Sequence, residues 1–352
     1  MPKVIQNVSS KVHNSVIPYI NIFYLSPNPY GGWVTYTAHL IHGLKRLGID
    51  VRFFKIGQRD EPGRRPFGYN LSYQNISVES ALGYVKANQP CLVTAVHKNQ
   101  LRPGRKLVDN GAWLVMHDPT EFRNLKLSNN SRIITVRKTV HKILPHTHLI
   151  LHPYVRTHSL EEINKVEFYN DRKLACSIAR IDFDKHTELL LDANRLLPDT
   201  HKINIYGFEN RIYTKNKIVP NYPEWEQSKA AYDKGMTTAI DICKQHTFSI
   251  DMSVIKEDGG GTQYTFLEAA DAGSVNIIHK DWIRDGDEMN PYPNEHANCL
   301  IAHDGKSIAK LIQDKEVLRH LPMIRQNMSD VLDRHDATVV AQQMVELISS
   351  KM

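Results

Sequence analysis

The sequence is poor in cysteine, in long apolar runs and in clustered metal ligands. Its four cysteines, Cys91, Cys176, Cys243 and Cys299, lie far apart in no metal-ligand or redox spacing. We expect buried free thiols in a reducing compartment. No apolar run approaches the roughly 18 residues of a membrane helix, and the polar segment 1–16 lacks the apolar centre of a secretory signal. The sequence therefore predicts a cytoplasmic protein without a membrane span.

Acidic residues are scarce in one half of the chain only. Residues 1–150 hold 20 Lys and Arg against 7 Asp and Glu, a net charge of +13, whereas residues 151–352 carry −7. This asymmetry indicates a polyanionic partner for the first half, although solvated surface charge explains any single residue. The candidate contacts with that partner are Arg64, Arg65, Lys98, Arg102, Arg105, Lys106 and Arg123.

Length and pattern indicate two α/β domains. The 352 residues are 41% hydrophobic and 23% charged, enough for two globular cores. Short apolar strands alternate with amphipathic helices, which predicts parallel sheets covered on both faces and a ligand cleft at their carboxyl ends. We assign 1–152 to the first domain, 153–335 to the second and 336–352 to a C-terminal helix that packs back on the first. We expect an exposed loop over 60–75, which is rich in Arg, Gly, Pro and Tyr.

The most informative stretch spans residues 257–273. An apolar run, 248–255, leads into Glu257, Asp258 and three glycines, and a helix-like segment then ends at Gly273. Glycines at a strand-to-helix junction let the backbone approach a ligand, and the first helical amides attract an anion. The alternative is an ordinary helix that begins at a glycine turn.

The order of these motifs resembles that of GT-B glycosyltransferases, enzymes with two Rossmann-like domains that use nucleotide-sugar donors. Those enzymes carry a Gly-Gly turn after the first strand, matched here by Gly31-Gly32. They carry an Arg and a Lys five residues apart, matched by Arg180 and Lys185. They also carry a glycine loop before a Glu-Ala helix closed by Gly, matched by 259–273. The resemblance implies two Rossmann-like domains whose parallel sheets face a central cleft.

Two segments are similar to the DNA α-glucosyltransferases of T-even bacteriophages. One is Tyr264-Thr265-Phe266-Leu267-Glu268 followed by Gly273, and the other is His117-Asp118 after a strand. This resemblance implies transfer of a sugar, from a UDP-sugar, to a hydroxymethylated pyrimidine in DNA, a modification that protects phage DNA against restriction. The basic first half agrees with a DNA partner, whose target base would leave the stack to react. We expect a monomer.

Leaving-group chemistry assigns the donor residues. Negative charge grows on the departing nucleoside diphosphate, and oriented cations and amides stabilise it. Arg180 offers a bidentate fork and Lys185 a point charge. Since these cations are fixed and no carboxylates cluster, we expect no divalent metal and no cofactor beyond the donor. The predicted donor-binding residues are Gly31, Gly32, Arg180, Lys185, Gly261, Thr262, Tyr264, Thr265 and Glu268.

One position departs from the family pattern. Retaining enzymes of this class place a second acidic residue eight positions before the helix Glu, and that position here is Gly260. Either Glu257 or Asp258 replaces the missing carboxylate only if the loop is reshaped.

The predicted acceptor residues are His117 and Asp118. Both follow a strand at its carboxyl end, so either can act as base or orient the acceptor hydroxyl. The alternative for Asp118 is a turn-forming role before Pro119. The resemblance implies retention of configuration, with the leaving phosphate taking the proton.

Other functions remain open at this stage. The second hypothesis is a GT-B enzyme with a saccharide, lipid or small-molecule acceptor, which predicts no salt-dependent DNA affinity. A third is a non-catalytic nucleic-acid-binding module, which would not need Arg180 and Lys185. A sugar-nucleotide epimerase shares the architecture but has no use for a basic outer face.

Overall fold

The chain forms two separate β-sheets with helices on both faces of each. A computed structural model describes residues 17–27, 31–158, 173–231, 238–254, 260–284 and 288–351, without the side chain of Pro119. The expected fold class, two Rossmann-like domains with parallel sheets, is confirmed.

The first sheet has eight strands. They are β1 Tyr19–Tyr24, β2 Asp50–Gly57, β3 Arg65–Gly68, β4 Leu71–Ser77, β5 Cys91–Thr94, β6 Trp113–Met116, β7 Ile133–Thr135 and β8 His148–Leu149. Their order is β3-β4-β2-β1-β5-β6-β7-β8, and only β3 pairs antiparallel among the described strands. The helices between them are α1 Gly32–Arg46, α2 Val78–Lys86, α3 Leu101–Asp109, α4 Pro119–Leu125 and α5 Lys138–Ile143.

The second sheet has five parallel strands. They are β9 Lys173–Ile178, β10 Asn204–Tyr206, β11 His246–Asp251, β12 Val275–His279 and β13 Leu300–Ala302, in the order β10-β9-β11-β12-β13. The helices are α6 Thr187–Leu196, α7 Arg211–Tyr213, α8 Trp225–Ser228, α9 Ala239–Cys243, α10 Tyr264–Asp271, α11 Gly305–Gln313, α12 Lys315–Arg334 and α13 Ala337–Ser349.

Alternation along β1 explains the two-sided core of the first domain. Ile20, Ile22 and Tyr24 face the cluster that contains α1 and α13, whereas Phe23 faces the cluster that contains α2 and α3. Successive strand residues point to opposite faces, so a strand covered on both sides is apolar throughout. The C-terminal helix α13 therefore belongs to the core of the first domain.

The expectation of an exposed loop over 60–75 is wrong. That segment contains the hairpin β3–β4, in which β4 pairs with β2 and so extends the sheet. Phe67, Leu71 and Ile76 are buried. Because these apolar residues are interspersed among Arg, Gly, Pro and Tyr, the composition of the segment is typical of a loop.

The chain crosses between the domains twice, and the two crossings pair with each other. The Tyr154 amide donates to the His335 carbonyl at 2.6 Å, and the Ala337 amide donates to the Tyr154 carbonyl at 2.9 Å. Gly43 of α1 lies against this junction, where a Cβ would come within 2.0 Å of the Ala337 carbonyl oxygen. A larger residue at position 43 would therefore force α1 and α13 apart.

The four cysteines are buried free thiols, as expected. Among the described residues, no helix is both long enough and apolar enough to cross a membrane.

Candidate active site between the two sheets

The carboxyl ends of strands from both sheets meet at one arginine. Arg137 follows β7, and its side chain packs against Gly261, which follows β11; a Cβ on Gly261 would lie 3.1 Å from Arg137 Cγ. Arg137 Nη2 donates to the His117 carbonyl at 2.8 Å. Ligands of parallel α/β domains bind at this edge. The predicted acceptor residue and the predicted donor loop therefore lie on either side of Arg137.

Arg180 and Lys185 lie in the turn between β9 and α6. The Arg180 side chain is 64% exposed, and its guanidinium donates to Asp182 at 2.9 Å and Asp184 at 3.1 Å. Exposed ion pairs contribute little, so a phosphate can replace these carboxylates. Lys185 is only 12% exposed, and its Nζ donates to Ser253 Oγ at 2.6 Å. One cation is thus accessible and the other is held in place.

Asp251, at the end of β11, joins several of the predicted donor residues. Its carboxylate lies 3.8 Å from Lys185 Nζ and accepts a hydrogen bond from Thr265 Oγ1 at 3.3 Å. The Ser253 amide also donates to it, at 2.9 Å. Asp251 is 6% exposed, so its charge fixes Lys185 and the first turn of α10 relative to each other.

The glycine loop is described from Gly260 onward. Glu257 and Asp258, the candidate replacements for the missing carboxylate, lie outside the described residues. Gly261 has a φ of +73°, which favours glycine, and its carbonyl accepts from Trp282 Nε1 at 3.0 Å. The Thr262 hydroxyl is buried and hydrogen-bonds His335 Nε2 at 3.1 Å. The Thr262 side chain therefore anchors the loop to the interior.

Two helices begin at the cleft without a side-chain cap. Helix α1 starts after Gly31, which has a φ of +100°, and α10 starts after Gln263; neither start has a side-chain cap or an acidic residue in its first turn. Within the described part of the chain, the amides of Gly32 and Tyr264 have no acceptor. Uncapped N-termini attract anions through their amides and the helix dipole. The Gly31-Gly32 turn and α10 thus offer amides from both domains.

Glu268 lies one turn into α10, between the domains. Burial raises the pKa of its carboxyl to about 7, and the neighbouring charge of Asp271 adds to the rise. Tyr264, one turn earlier, donates to the Pro153 carbonyl at 3.0 Å and stacks on His39 with ring centroids 5.5 Å apart. Glu268 therefore stands beside residues that join the domains, where a hydroxyl-bearing ligand would stabilise its charged form.

The raised pKa leads to a pH prediction for donor affinity. If Glu268 accepts hydroxyl hydrogen bonds from the sugar, the donor binds its ionised form better, so affinity should rise with pH through about 7. Between pH 8 and pH 6 we expect a loss of about tenfold. Titration calorimetry with an intact UDP-sugar measures this, because free UDP has a terminal phosphate that titrates in the same range. Glu268→Gln should bind weakly and show a flat profile; a wild-type slope in this variant would contradict the assignment.

His117 and Asp118 follow β6. Burial lowers the pKa of His117 to about 3, Arg137 lowers it further, and Asp118 opposes both. His117 is thus a neutral imidazole. Asp118 is the N-cap of α4, and its Oδ1 accepts from the Thr120 amide at 2.8 Å. This hydrogen bond is the one that the turn-forming alternative predicts. The role of Asp118 as a base, or in orienting the acceptor hydroxyl, stays a prediction.

Three buried polar atoms close to His117 have no hydrogen-bond partner among the described residues: Tyr36 Oη, His117 Nε2 and His152 Nδ1. The Tyr36 ring lies 4.9 Å from the His117 ring and 6.2 Å from the His152 ring, between centroids. Buried polar groups nearly always have partners, so three together indicate a place for water or a polyhydroxyl ligand.

The predicted DNA contacts differ in their surroundings. Three form exposed ion pairs: Arg65 with Glu61, Arg105 with Asp109 and Lys106 with Glu79. In the part of the chain that the structure describes, no ion pair holds Lys98 or Arg102. Both follow the carboxyl end of β5, at the same edge as His117. Arg64 donates to the Ser72 carbonyl at 3.4 Å, and Arg123 lies on α4.

Sequence analysis did not assign several residues to this site, namely Arg137, Asp251, His152, His335 and Tyr36. Arg137 counts there only as one of the basic residues of the first half. The sequence does contain a pattern that indicates Asp251, since this charged residue ends an apolar strand just before the glycine loop. Arg137 follows a strand of only three residues, and the histidines are polar residues in weakly apolar segments. Their roles depend on contacts between distant parts of the chain.

The surroundings of the cleft contain no group of three or more His, Cys, Asp or Glu side chains that could hold a metal ion, within the residues described. A cavity of about 100 Å³ lies at the amino ends of the strands of the first sheet, lined by Trp113, Arg132 and Ile348 among others. His117 lies at the carboxyl ends of the strands, away from this cavity.

Neither the protein-family models nor the curated proteins contain a match to this chain. Several solved structures do match this chain. HepE from Anabaena, solved with UDP-glucose, is 15% identical over 94% of this chain and 99% of its own, with a TM-score of 0.65. An α-glucosyltransferase solved with UDP-glucose and DNA containing an abasic site is 14% identical over 94% and 99%, with a TM-score of 0.60. The chain has the GT-B fold.

A third structure extends the likeness to a different acceptor. The lipopolysaccharide outer core galactosyltransferase WaaB is 14% identical over 95% of this chain and 100% of its own, with a TM-score of 0.63. The GT-B fold therefore spans nearly the whole chain. In this fold the edge where Arg137 meets Gly261 is the central cleft between the two domains.

Proposed function

We propose that this chain is a retaining glycosyltransferase that moves a sugar from a UDP-sugar to a hydroxymethylated pyrimidine in DNA. The observation that carries the proposal is the arrangement at the cleft. Lys185 is joined through Asp251 to the first turn of α10, helices α1 and α10 begin without side-chain caps, and Arg137 connects His117 to the glycine loop. These features, with the accessible Arg180 beside Lys185, support a diphosphate site. Two similar GT-B structures hold UDP-glucose, which supports the donor class.

The chemistry requires charge stabilisation at the leaving group. The bond between sugar C1 and the phosphate oxygen breaks, and a bond between C1 and the acceptor oxygen forms on the same face. The acceptor proton passes to the leaving phosphate. Arg180, Lys185 and the amides at Gly32 and Tyr264 stabilise the negative charge that grows on the diphosphate. These groups do the work of a divalent cation, so the reaction proceeds without one.

The acceptor is proposed from charge. The first domain, with +13 over residues 1–150, is complementary to a DNA backbone. The similar α-glucosyltransferase was solved with DNA, which supports this choice. A saccharide acceptor is the second candidate, because WaaB acts on lipopolysaccharide.

The deciding experiment is transfer from a panel of radiolabelled nucleotide sugars to DNA that contains hydroxymethylcytosine, hydroxymethyluracil or neither. We expect label from a UDP-sugar on a hydroxymethylated DNA, with and without EDTA. Transfer to a free saccharide, with no DNA binding at low salt, would remove the DNA acceptor and keep the transferase. No transfer and no UDP release from any donor would contradict the enzyme itself.

Lys98 and Arg102 give a test of the DNA surface. Reversing both to Glu should weaken binding of a DNA duplex by about tenfold or more and lower the slope of log affinity against log salt by roughly two. The matched control reverses Lys45 and Lys86, which lie in the last turns of α1 and α2 in the same domain. Equal losses in both double variants would indicate a general charge effect and contradict a DNA surface at the cleft edge.

A further inference from the structure

The tip of the β3–β4 hairpin has an unusual backbone. Tyr69 and Asn70 form its two-residue turn with φ values of 52° and 56°. Such turns favour Asn and Gly because both central residues are left-handed. A bulky tyrosine there is strained, and strain of this kind concentrates at functional sites. Tyr69 therefore occupies a turn position whose backbone conformation favours Asn or Gly over a bulky residue.

Contacts with α1 hold Tyr69 in this position. Its hydroxyl shares a hydrogen bond of 3.1 Å with Thr35 Oγ1, and its carbonyl accepts from His42 Nε2 at 3.0 Å. The ring lies 5.8 Å from the His39 ring, between centroids. Tyr69 nevertheless remains 46% exposed. Part of the ring is fixed against α1 and the rest faces solvent.

The contacts of Tyr69 join it to residues that border the candidate active site. Thr35 is in the first turn of α1, directly after Gly31-Gly32, and His39 stacks on Tyr264 of the donor domain. Burial raises the pKa of Tyr69, its bond with Thr35 lowers it, and the charge of Glu268 raises it further. The influence of the Glu268 charge on the pKa of Tyr69 agrees with a ring at the border of the predicted sugar site.

We propose that Tyr69 is the stacking platform for the acceptor base, an inference that rests on the proposed function and names the acceptor-side contact. A fixed, half-exposed aromatic ring suits a base taken out of its stack. Arg64 and Arg65, at the end of the hairpin away from the tip, supply cations for phosphates farther along the same DNA strand, and Arg65 is 56% exposed. A planar heterocycle on a DNA strand matches both features, whereas a neutral saccharide does not use the cations.

The test distinguishes the effect of the Tyr69 ring on DNA binding from the effect of the turn conformation. Tyr69→Asn removes the ring but suits a left-handed turn position, and Tyr69→Phe keeps the ring but loses the bond to Thr35. With UDP-glucose and hydroxymethylcytosine DNA, we expect Tyr69→Asn to raise KM for DNA about tenfold or more, with little change in kcat. Tyr69→Phe should stay within about threefold of the wild type.

Three results would overturn the proposal. An unchanged KM for DNA in Tyr69→Asn would exclude stacking. Equal losses in Tyr69→Asn and Tyr69→Phe would assign the effect to the bond with Thr35. A saccharide accepted in place of DNA would identify a different occupant.

A binding assay keeps this test separate from the proposed function. Fluorescence anisotropy measures affinity for a labelled duplex containing hydroxymethylcytosine without any turnover. Loss of affinity in Tyr69→Asn alone supports the platform even if no sugar is transferred. If the wild type releases no UDP from any donor, the proposed function fails; if Tyr69→Asn also binds the duplex like the wild type, the platform fails as well.

Discussion

Arg180→Ala should lower the rate of sugar transfer by about 100-fold or more, because negative charge on the leaving diphosphate would lose its accessible guanidinium. The fold should be unaffected, since the Arg180 side chain is 64% exposed and Asp182, one of its two partners, keeps hydrogen bonds from the Phe183 amide and Asn210 Nδ2. Lys185→Met should cause a loss of the same order. It also leaves Asp251, 6% exposed, without its cation, so its thermal stability has to be measured alongside.

The matched control is Arg195→Ala. Arg195 is an exposed arginine on α6 of the same domain, and it pairs with Glu224 at 2.6 Å. Among the described residues, its contacts include no predicted donor residue. Its removal should leave single-turnover transfer near the wild-type rate. If Arg180→Ala and Lys185→Met both retained full activity with a UDP-sugar, the diphosphate would have to bind elsewhere.

Position at the carboxyl end of a strand is what made these residues predictable. Arg180 and Lys185 follow one apolar run, His117 follows another, and the glycine loop follows a third. Parallel strands bring the residues of each sheet to one edge, and the facing of the two domains brings the edges together. The structure brings His117 and Gly261 together through Arg137. The chemical roles of these residues stay predictions.

Residues whose role depends on another part of the chain could not be predicted. Arg137 looks like one more basic residue before a charged helix, and only the fold packs it against Gly261. Asp118 illustrates the opposite case, because capping a helix that begins at the next residue is a local property. The sequence already indicates it, as the turn-forming alternative for Asp118 before Pro119. The hairpin β3–β4 was missed since its pairing with β2 is carried by backbone hydrogen bonds that composition does not report.

Asp271→Ala should cause the largest loss of stability among these variants. Asp271 is fully buried on α10, and its carboxylate accepts from the Tyr154 hydroxyl at 3.0 Å and from the amides of Thr157 at 2.9 Å and His158 at 3.0 Å. All three donors belong to the segment that crosses between the domains. Removing the carboxylate leaves the buried Tyr154 hydroxyl without an acceptor and breaks the bonds to the two amides, so the free energy of unfolding should fall by about 3–5 kcal/mol.

Denaturant unfolding with a matched aspartate measures this effect. Asp192 accepts one hydrogen bond, from the Tyr222 hydroxyl at 2.9 Å, on α6 of the same domain. Asp192→Ala should cost about 1 kcal/mol, so a smaller loss in Asp271→Ala than in Asp192→Ala would contradict the anchoring role of Asp271.

Asp271→Asn connects this anchor to the chemistry of the cleft. The amide keeps one acceptor oxygen, so the loss of stability should be smaller than in Asp271→Ala. The variant also removes the charge that helps to raise the pKa of Glu268. That pKa should fall, and the pH range over which the UDP-sugar gains affinity should move below 7. A pH profile identical to that of the wild type would show that burial alone controls the protonation of Glu268.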